Sequence, residues 1–252
     1  MEVHHHPQLE HKAKPWKEYL LEGLMIFLAV TMGFFAESLR EHIADSEKEN
    51  QYIESMIADA KTDTANIHAC IRHNEVRIKH LDTLADLCSH YSVSGNADPL
   101  IYKAFRYSII QPDFVIPTQR TLTQLMNSGG MRLVRKRIAV DSIILYDDAA
   151  KKLENQQVYY ERYLNEAGEL GFKIIDMNYY KITRSKDRHF DKNTYQGAHL
   201  LRNDKQILAE WANLEMVYGG VVSNYVYHLK ETEAHAVNLI HTLQTEYHLK
   251  DE

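Results

Sequence analysis

Helix-breaking residues are scarce in this sequence. It has 10 Gly and 5 Pro among 252 residues, roughly half of the share of about 12% that proteins average. Neither residue occurs between Gly33 and Gly95, and no proline follows Pro117. Sheets need frequent turns, and turns depend on Gly and Pro. The sequence therefore argues against sandwiches, barrels and doubly wound α/β folds, and predicts an all-α protein of long helices.

Cysteine and net basic charge are also scarce. Cys70 and Cys88 are too few for a disulfide framework, a zinc ribbon or an iron–sulfur centre. On one helix they would lie about 27 Å apart and could not pair within it; pairing of Cys88 between two chains stays open. The formal net charge is −6, so no basic field indicates nucleic-acid binding.

A long apolar run near the N-terminus predicts a transmembrane helix. Gly23 to Ala36 contains no charged residue, and the 18 residues from Tyr19 to Ala36 contain only Glu22. As a helix, 18 residues span about 27 Å, close to the roughly 30 Å of a hydrocarbon core. Aromatic residues and lysines flank the run, as is typical of membrane anchors: Trp16, Tyr19, Lys12, Lys14 and Lys17.

Two other interpretations compete with the anchor. A run of 14 residues also fits a buried core helix, and a basic start before an apolar run is the general form of a signal peptide. Cleavage after Ala36 would put bulky Phe34 at the −3 position, where a small residue is needed. We therefore expect a flexible His-rich tail (1–15), a transmembrane helix (16–39) and a helical bundle (40–252).

The flanking charges predict the orientation of this anchor. Three lysines precede the span, whereas Arg40 and Lys48 follow it among five acidic residues. The positive-inside rule then places the N-terminus in the cytoplasm and the bundle on the far side, which is the periplasm if the host is a bacterium.

Glu22 has two interpretations. An ionisable group inside a span can serve as a proton relay or as a polar contact with a second membrane protein. Alternatively, it lies about one turn inside the interface, where the helix dipole favours a carboxylate that reaches the headgroups. The second interpretation is favoured.

The segment after the span has the apolar period of a coiled-coil seam. Apolar and small residues recur at alternating spacings of four and three, which is a heptad pattern. No residue interrupts the helix between Leu39 and Ile53, so one helix is expected from Trp16 to about Tyr91. The seam consists of Ile53, Ile57, Ala60, Thr64, Ile67, Ile71, Asn74, Ile78, Leu81, Ala85 and Cys88.

Further helices follow this first one. Asp98 is expected to cap a helix that has Pro99 at its first position. The predicted helices cover 98–110, 118–127, 131–167, 172–182 and 203–247, with a polar loop at 183–196 and breaks at Gly168 and Gly171. Inward positions on the later helices include Ile138, Leu145 and Val217. Each long helix must bury a stripe, so an antiparallel bundle is expected.

Two segments carry a family resemblance. WKEYLLEGLMIFLAVTMGFFAESLREH with the trailing KENQYIESMIADAKTDT, and the later TLTQLMNSGGMRLVRKRIAVDSIILY, resemble the two signatures of a family of uncharacterised, N-terminally membrane-anchored proteins from Bacteroidota. The resemblance covers about 80 residues, and the His-rich start fits it. It implies an all-helical domain in the bacterial envelope and implies no reaction. With the predicted anchor, we expect a location in the bacterial inner membrane.

Histidines are the first candidates for chemistry. His4, His5, His6 and His11 could gather weakly around a transition-metal ion, although a solvated tail is the simpler interpretation. The pairs His73 with His80 and His228 with His235 each share one helix face. A tetrahedral site needs further ligands, so surface histidines are favoured.

A glycine turn is the second candidate. Backbone N–H groups at a helix start and nearby basic side chains can bind an anion. A plain turn with a solvated basic face is the favoured alternative. The residues concerned are Ser128, Gly129, Gly130, Arg132, Arg135 and Arg137.

Tyrosines are concentrated in the second half of the chain, and they could line a ligand pocket. Core packing is the favoured interpretation. The tyrosines concerned are Tyr159, Tyr160, Tyr163, Tyr179, Tyr180, Tyr218, Tyr225 and Tyr227. The common local signatures of hydrolases, P-loop proteins, dinucleotide enzymes and metalloproteases are missing from the sequence. After the N-terminal tail, where Glu2 and His5 have this spacing, no Glu-x-x-His pair of the kind used by di-iron bundles occurs. We expect no enzyme and no cofactor.

The resulting expectation is a single-pass, non-catalytic helical scaffold or interaction protein of the bacterial cell envelope. Its expected partners are membrane lipid and another envelope protein or a second copy of the chain, but no nucleic acid. Two alternatives stay open: a sensory or ligand-binding bundle, and an ion-driven transducer subunit that uses Glu22.

Overall fold

The computed structural model describes residues 15–93, 96–127, 129–180 and 195–249, and these residues form helices and connections without a β-strand. The expected all-α fold is therefore confirmed. The α-helices are α1 (Trp16–Ser89), α2 (Asp98–Phe105), α3 (Arg120–Asn127), α4 (Arg137–Gly171) and α5 (Lys205–Tyr247). A π-helix covers Arg106–Ile110, and 3-10 helices cover Gly130–Leu133 and Met177–Tyr179.

The chain divides into two compact units, Met1–Gln51 and Tyr52–Glu252. Helix α1 contributes to both and has no break between Leu39 and Ile53, as its sequence predicts. Within the second unit, nine of the eleven seam residues are buried, while Thr64 and Ile78 are half-buried. The seam is therefore confirmed as the inward face of α1.

The second unit is a bundle in which neighbouring helices alternate in direction. Helix α5 runs antiparallel to α1, since His68 pairs with Glu233 and Glu75 pairs with Lys230 further back along α5. It also runs antiparallel to α4, because Thr232 donates to the Ala149 carbonyl whereas Trp211, earlier in α5, lies beside Gly171 at the end of α4.

The segment that connects α1 to α4 runs antiparallel to α1 and is a broken helix. It consists of α2, the π-helix, an extended segment at 111–119 and α3. Pro112 and Pro117 explain the extended part, because proline lacks the N–H that a helix needs. Side chains of α1 satisfy its backbone instead: Asn74 donates to the Asp113 carbonyl at 3.1 Å, and Asp63 accepts from the Thr118 N–H at 2.9 Å.

Two apolar clusters form the core of this bundle. One surrounds Trp211 and Phe105, and the other surrounds Ile53 and Leu239. Asp63 is fully buried between them along α1 and accepts hydrogen bonds from Thr118 and from the Tyr146 hydroxyl. A charged residue thus occupies the core because three donors surround its carboxylate.

Several sequence expectations are wrong in detail. Ala97 is the N-cap residue of α2, and Asp98 is helical and accepts from the Leu200 N–H instead. Helix α4 begins at Arg137 and not at Met131. Ile138, Leu145 and Val217 are exposed, because the inward stripes of α4 and α5 are narrower than their apolar pattern.

The region after Gly171 also differs from its prediction. No α-helix follows at 172–180; a short 3-10 helix lies there, and 181–194 lie outside the described residues. Gly168 is inside α4 and does not break it. Gly171 ends α4 in close contact with α2, because a Cβ atom at this position would lie 2.4 Å from Cε2 of Phe105.

Candidate functional site

The apolar N-terminal part of α1 is exposed along its whole length. Its most apolar 18-residue window has none of its residues buried in the structure, and the exposed fraction of Phe34 is 74%. A core helix of a water-soluble protein would be mostly buried. By its length and composition, helix α1 is long and apolar enough to cross a membrane. Glu22 lies within this exposed surface, and its role stays a prediction.

A buried polar network lies in the C-terminal part of α1, within the second unit. The guanidinium of Arg77 donates from Nη1 to Oδ1 of Asn74 at 2.8 Å and to the hydroxyl of Tyr160. The Tyr160 hydroxyl donates to the same Asn74 oxygen at 2.9 Å. Arg77 is only 3% exposed, so a full positive charge lies inside the bundle with neutral hydrogen-bond partners.

A cleft of about 370 Å³ opens beside this network. Its walls come from α1, the π-helix and the start of the extended segment. At its rim, Nδ1 of His73 lies 2.5 Å from Oδ2 of Asp113. The lining residues are His73, Val76, Arg77, Tyr107, Gln111, Pro112 and Asp113.

The π-helix positions one wall of this cleft. Tyr107 lies on it and stacks on His80 of α1 with ring centroids 4.6 Å apart. Burial and the nearby charge of Lys103 lower the pKa of His80. π-Helical turns are rare, and those that occur are frequently at functional sites. The π-helix therefore favours a functional role for this cleft.

A second buried ionisable group is Glu215 on α5. It is fully buried, and neither carboxyl oxygen has a hydrogen-bond partner among the described residues. Burial raises the pKa of Glu215 to about 8. Burial also raises the pKa of Cys88, with the charge of Glu215 as a smaller cause.

Among the described residues, the predicted histidine pairs do not form a metal-ligand group. His4, His5, His6 and His11 lie outside the described residues, and the described part of the chain contains no group of three or more potential metal ligands. His73 lines the cleft and His80 contacts its wall, whereas His228 pairs with Glu231.

The glycine turn differs from the predicted geometry. Ser128 lies outside the described residues, and Gly129 has a left-handed φ of 66°. Gly130 starts a four-residue 3-10 helix, and α4 begins only at Arg137. Anion binding at this turn stays a prediction. Its basic side chains are exposed: Arg132, Arg135 and Arg137.

The tyrosines mainly pack in the core. Tyr160, Tyr180, Tyr218 and Tyr225 are buried, and none of the eight predicted candidates lines the cleft. Sequence reasoning missed Arg77, Tyr107 and Asp113. The spacing of His73 and His80 was the one sequence signal that pointed to this part of α1.

Comparisons with known proteins add no assignment: no protein-family model, no curated protein and no solved structure matches the chain.

Proposed function

We propose that this chain is a single-pass protein of a bacterial inner membrane whose helical domain acts by binding another envelope protein or a second copy of itself. The observation that carries the proposal is the fully exposed apolar window of α1. Leaving such a surface in water is unfavourable by about 25 cal/mol per Å², whereas lipid covers it. The charge bias around the span favours a cytoplasmic N-terminus and a periplasmic bundle.

Contact without catalysis is the activity that this domain supports best. The described residues contain no metal-ligand cluster, and the sequence lacks the common catalytic motifs. Exposed apolar residues on α4 and α5, such as Val158 and Met216, are available for contact. The resemblance to anchored envelope proteins of Bacteroidota supports the same proposal.

Membrane retention tests the anchor. The full chain should remain in the pellet after alkaline carbonate extraction of bacterial membranes. Leu28→Arg places a charge at the middle of the span, at a cost of about 3 kcal/mol, and should release protein. Val237→Arg adds the same charge to an exposed site of α5 and should not. An N-terminal tag absent from the membrane-bound protein would indicate a cleaved signal and contradict the proposal.

Topology and contact need separate measurements. A C-terminal alkaline phosphatase fusion should be active and a C-terminal green fluorescent protein fusion dark; the reverse would contradict a periplasmic bundle. Cross-linking in native membranes, followed by sizing in mild detergent, should give a complex larger than one chain. A monomer with no cross-linked partner would count against the contact function.

A second candidate function is a ligand-binding bundle, which the cleft beside Arg77 favours.

A further inference from the structure

Arg77 is a buried cation for which the described residues supply no counter-ion. Its exposed fraction is 3%, and in the described part of the chain no carboxylate lies within 4.0 Å of its nitrogens. Its two hydrogen-bond partners, Asn74 and Tyr160, are both neutral. Burying an unpaired charge costs several kcal/mol, so an anion at this position would be strongly favoured.

One edge of the guanidinium group lacks hydrogen-bond partners in the described part of the chain, with Nε buried and Nη2 the nitrogen that a ligand reaches first. Nη1 makes both hydrogen bonds, whereas Nε has no partner among the described residues and no hydrogen bond involves Nη2 there. Nε and Nη2 form the fork that binds a carboxylate through two parallel bonds. Because Arg77 lines the cleft, a ligand in the cleft can approach this side chain.

The rest of the cleft limits the kind of anion. Val76, Tyr107 and Pro112 offer apolar and aromatic surface, which suits an organic body better than a hydrated inorganic ion. Asp113 adds a negative charge at the rim, where it contacts His73. A second negative charge on the ligand would be repelled by Asp113, so the site disfavours dianions such as phosphate.

We propose that this cleft binds a small organic monocarboxylate, with its carboxylate on Arg77 and its apolar body between Val76, Tyr107 and Pro112. The volume of about 370 Å³ is in the range of small-molecule sites. This proposal specifies the ligand class of the second candidate function. It depends on neither the membrane anchor nor the contact function.

Ligand titrations of the full chain in detergent test the proposal. Benzoate is the probe. Neutral benzamide tests whether binding requires the negative charge, and inorganic phosphate tests whether the site accepts a dianion. Benzoate should raise the melting temperature and perturb tyrosine fluorescence saturably, whereas benzamide and phosphate should do neither. No response to benzoate, or an equal response to benzamide or to phosphate, would overturn the proposal.

Variants then locate the site. Arg77→Gln should weaken benzoate binding by about tenfold to a hundredfold, the value of a charge-assisted contact. Since Arg77 is buried and its loss can impair folding, Val76→Trp is the second variant: it fills the cleft from an exposed position and leaves the buried network intact. Val237→Trp makes the same change on α5, away from the cleft lining. Benzoate binding that survives Val76→Trp, or is lost equally in Val237→Trp, would place the ligand elsewhere and overturn the proposal.

Discussion

The amide of Asn74 and the backbone carbonyl of Asp113 form a hydrogen bond of 3.1 Å that connects α1 to the extended segment. The same amide nitrogen donates to the Cys70 carbonyl at 2.9 Å, and its oxygen accepts from Arg77. One buried side chain thus connects the backbone of two elements and orients the guanidinium of Arg77.

Replacing Asn74 should therefore destabilise the bundle. Asn74→Ala removes one hydrogen bond each from the Asp113 carbonyl, the Tyr160 hydroxyl and Arg77. Each lost buried hydrogen bond costs about 0.5–1.5 kcal/mol. We expect a loss of several degrees in the melting temperature followed by circular dichroism. Asn165→Ala, on an exposed position of α4, is the matched control, and equal melting temperatures for the two variants would contradict the prediction.

Glu215 should make stability fall with rising pH. Burial raises the pKa of Glu215 to about 8 in the folded chain, compared with the ordinary value of 4.5 for a glutamate. Between these values the folded state holds a proton that the unfolded state releases, so the free energy of unfolding decreases by up to about 1.4 kcal/mol per pH unit, and this decrease stops above about pH 8.

Glu215→Gln removes this titration. The variant should gain stability over the native chain as pH rises from 5 to 8, measured as the difference between their melting temperatures. Glu210→Gln changes an exposed carboxylate on the same helix and serves as the control. A constant difference between Glu215→Gln and the native chain across this range would show that Glu215 does not titrate as described.

Both cysteines should be unreactive in the native chain. Cys70 and Cys88 are buried, and burial, with the charge of Asp113 as a smaller cause, raises the pKa of Cys70 to about 12. The thiolate is the reactive form, so a thiol reagent should label neither residue until the protein is unfolded. Ser89→Cys adds an exposed thiol beside Cys88 and should label at once. A dimer on a non-reducing gel of the native chain would contradict this burial of Cys88.

Two glycines should respond to alanine in opposite ways. Gly171→Ala forces a Cβ against Phe105 and Trp211, and overpacking of this kind costs about 1–3 kcal/mol. Gly220 is in α5 with nothing within 4 Å of its Cβ position, so Gly220→Ala should stabilise the helix by about 1 kcal/mol. Urea denaturation measures both changes, and destabilisation by Gly220→Ala would refute the helix argument.

The sequence predicts the parts of this fold that depend on local pattern. The seam of α1 repeats regularly, and the N-cap at Asp204 accepts from the Ile207 N–H at the start of α5, close to the expected start at 203. How far the α-helices extend near Gly130 and Gly171 depends less on the local sequence pattern. Helix α4 ends at Gly171, as the glycine suggests, but it continues through Gly168. The close contact of Gly171 with Phe105 comes from another helix and is not visible in the local pattern.

The candidate site could not be predicted in the same way. Charged residues such as Asp63 and Arg77 are normally exposed, and a heptad pattern assigns them to the surface. Their burial depends on partners that are distant in sequence: Thr118 for Asp63 and Tyr160 for Arg77. Only the three-dimensional arrangement brings these partners together.

The extended segment at 111–119 has a consequence for the order of folding. The Val115 N–H donates to the Tyr225 hydroxyl at 3.3 Å, and the Thr118 N–H donates to Asp63. These bonds form only after α1 and α5 have docked, unlike bonds inside a helix, which form locally. Slow exchange of these two amide protons with solvent deuterium therefore reports that the bundle has assembled, and not merely that its helices have formed.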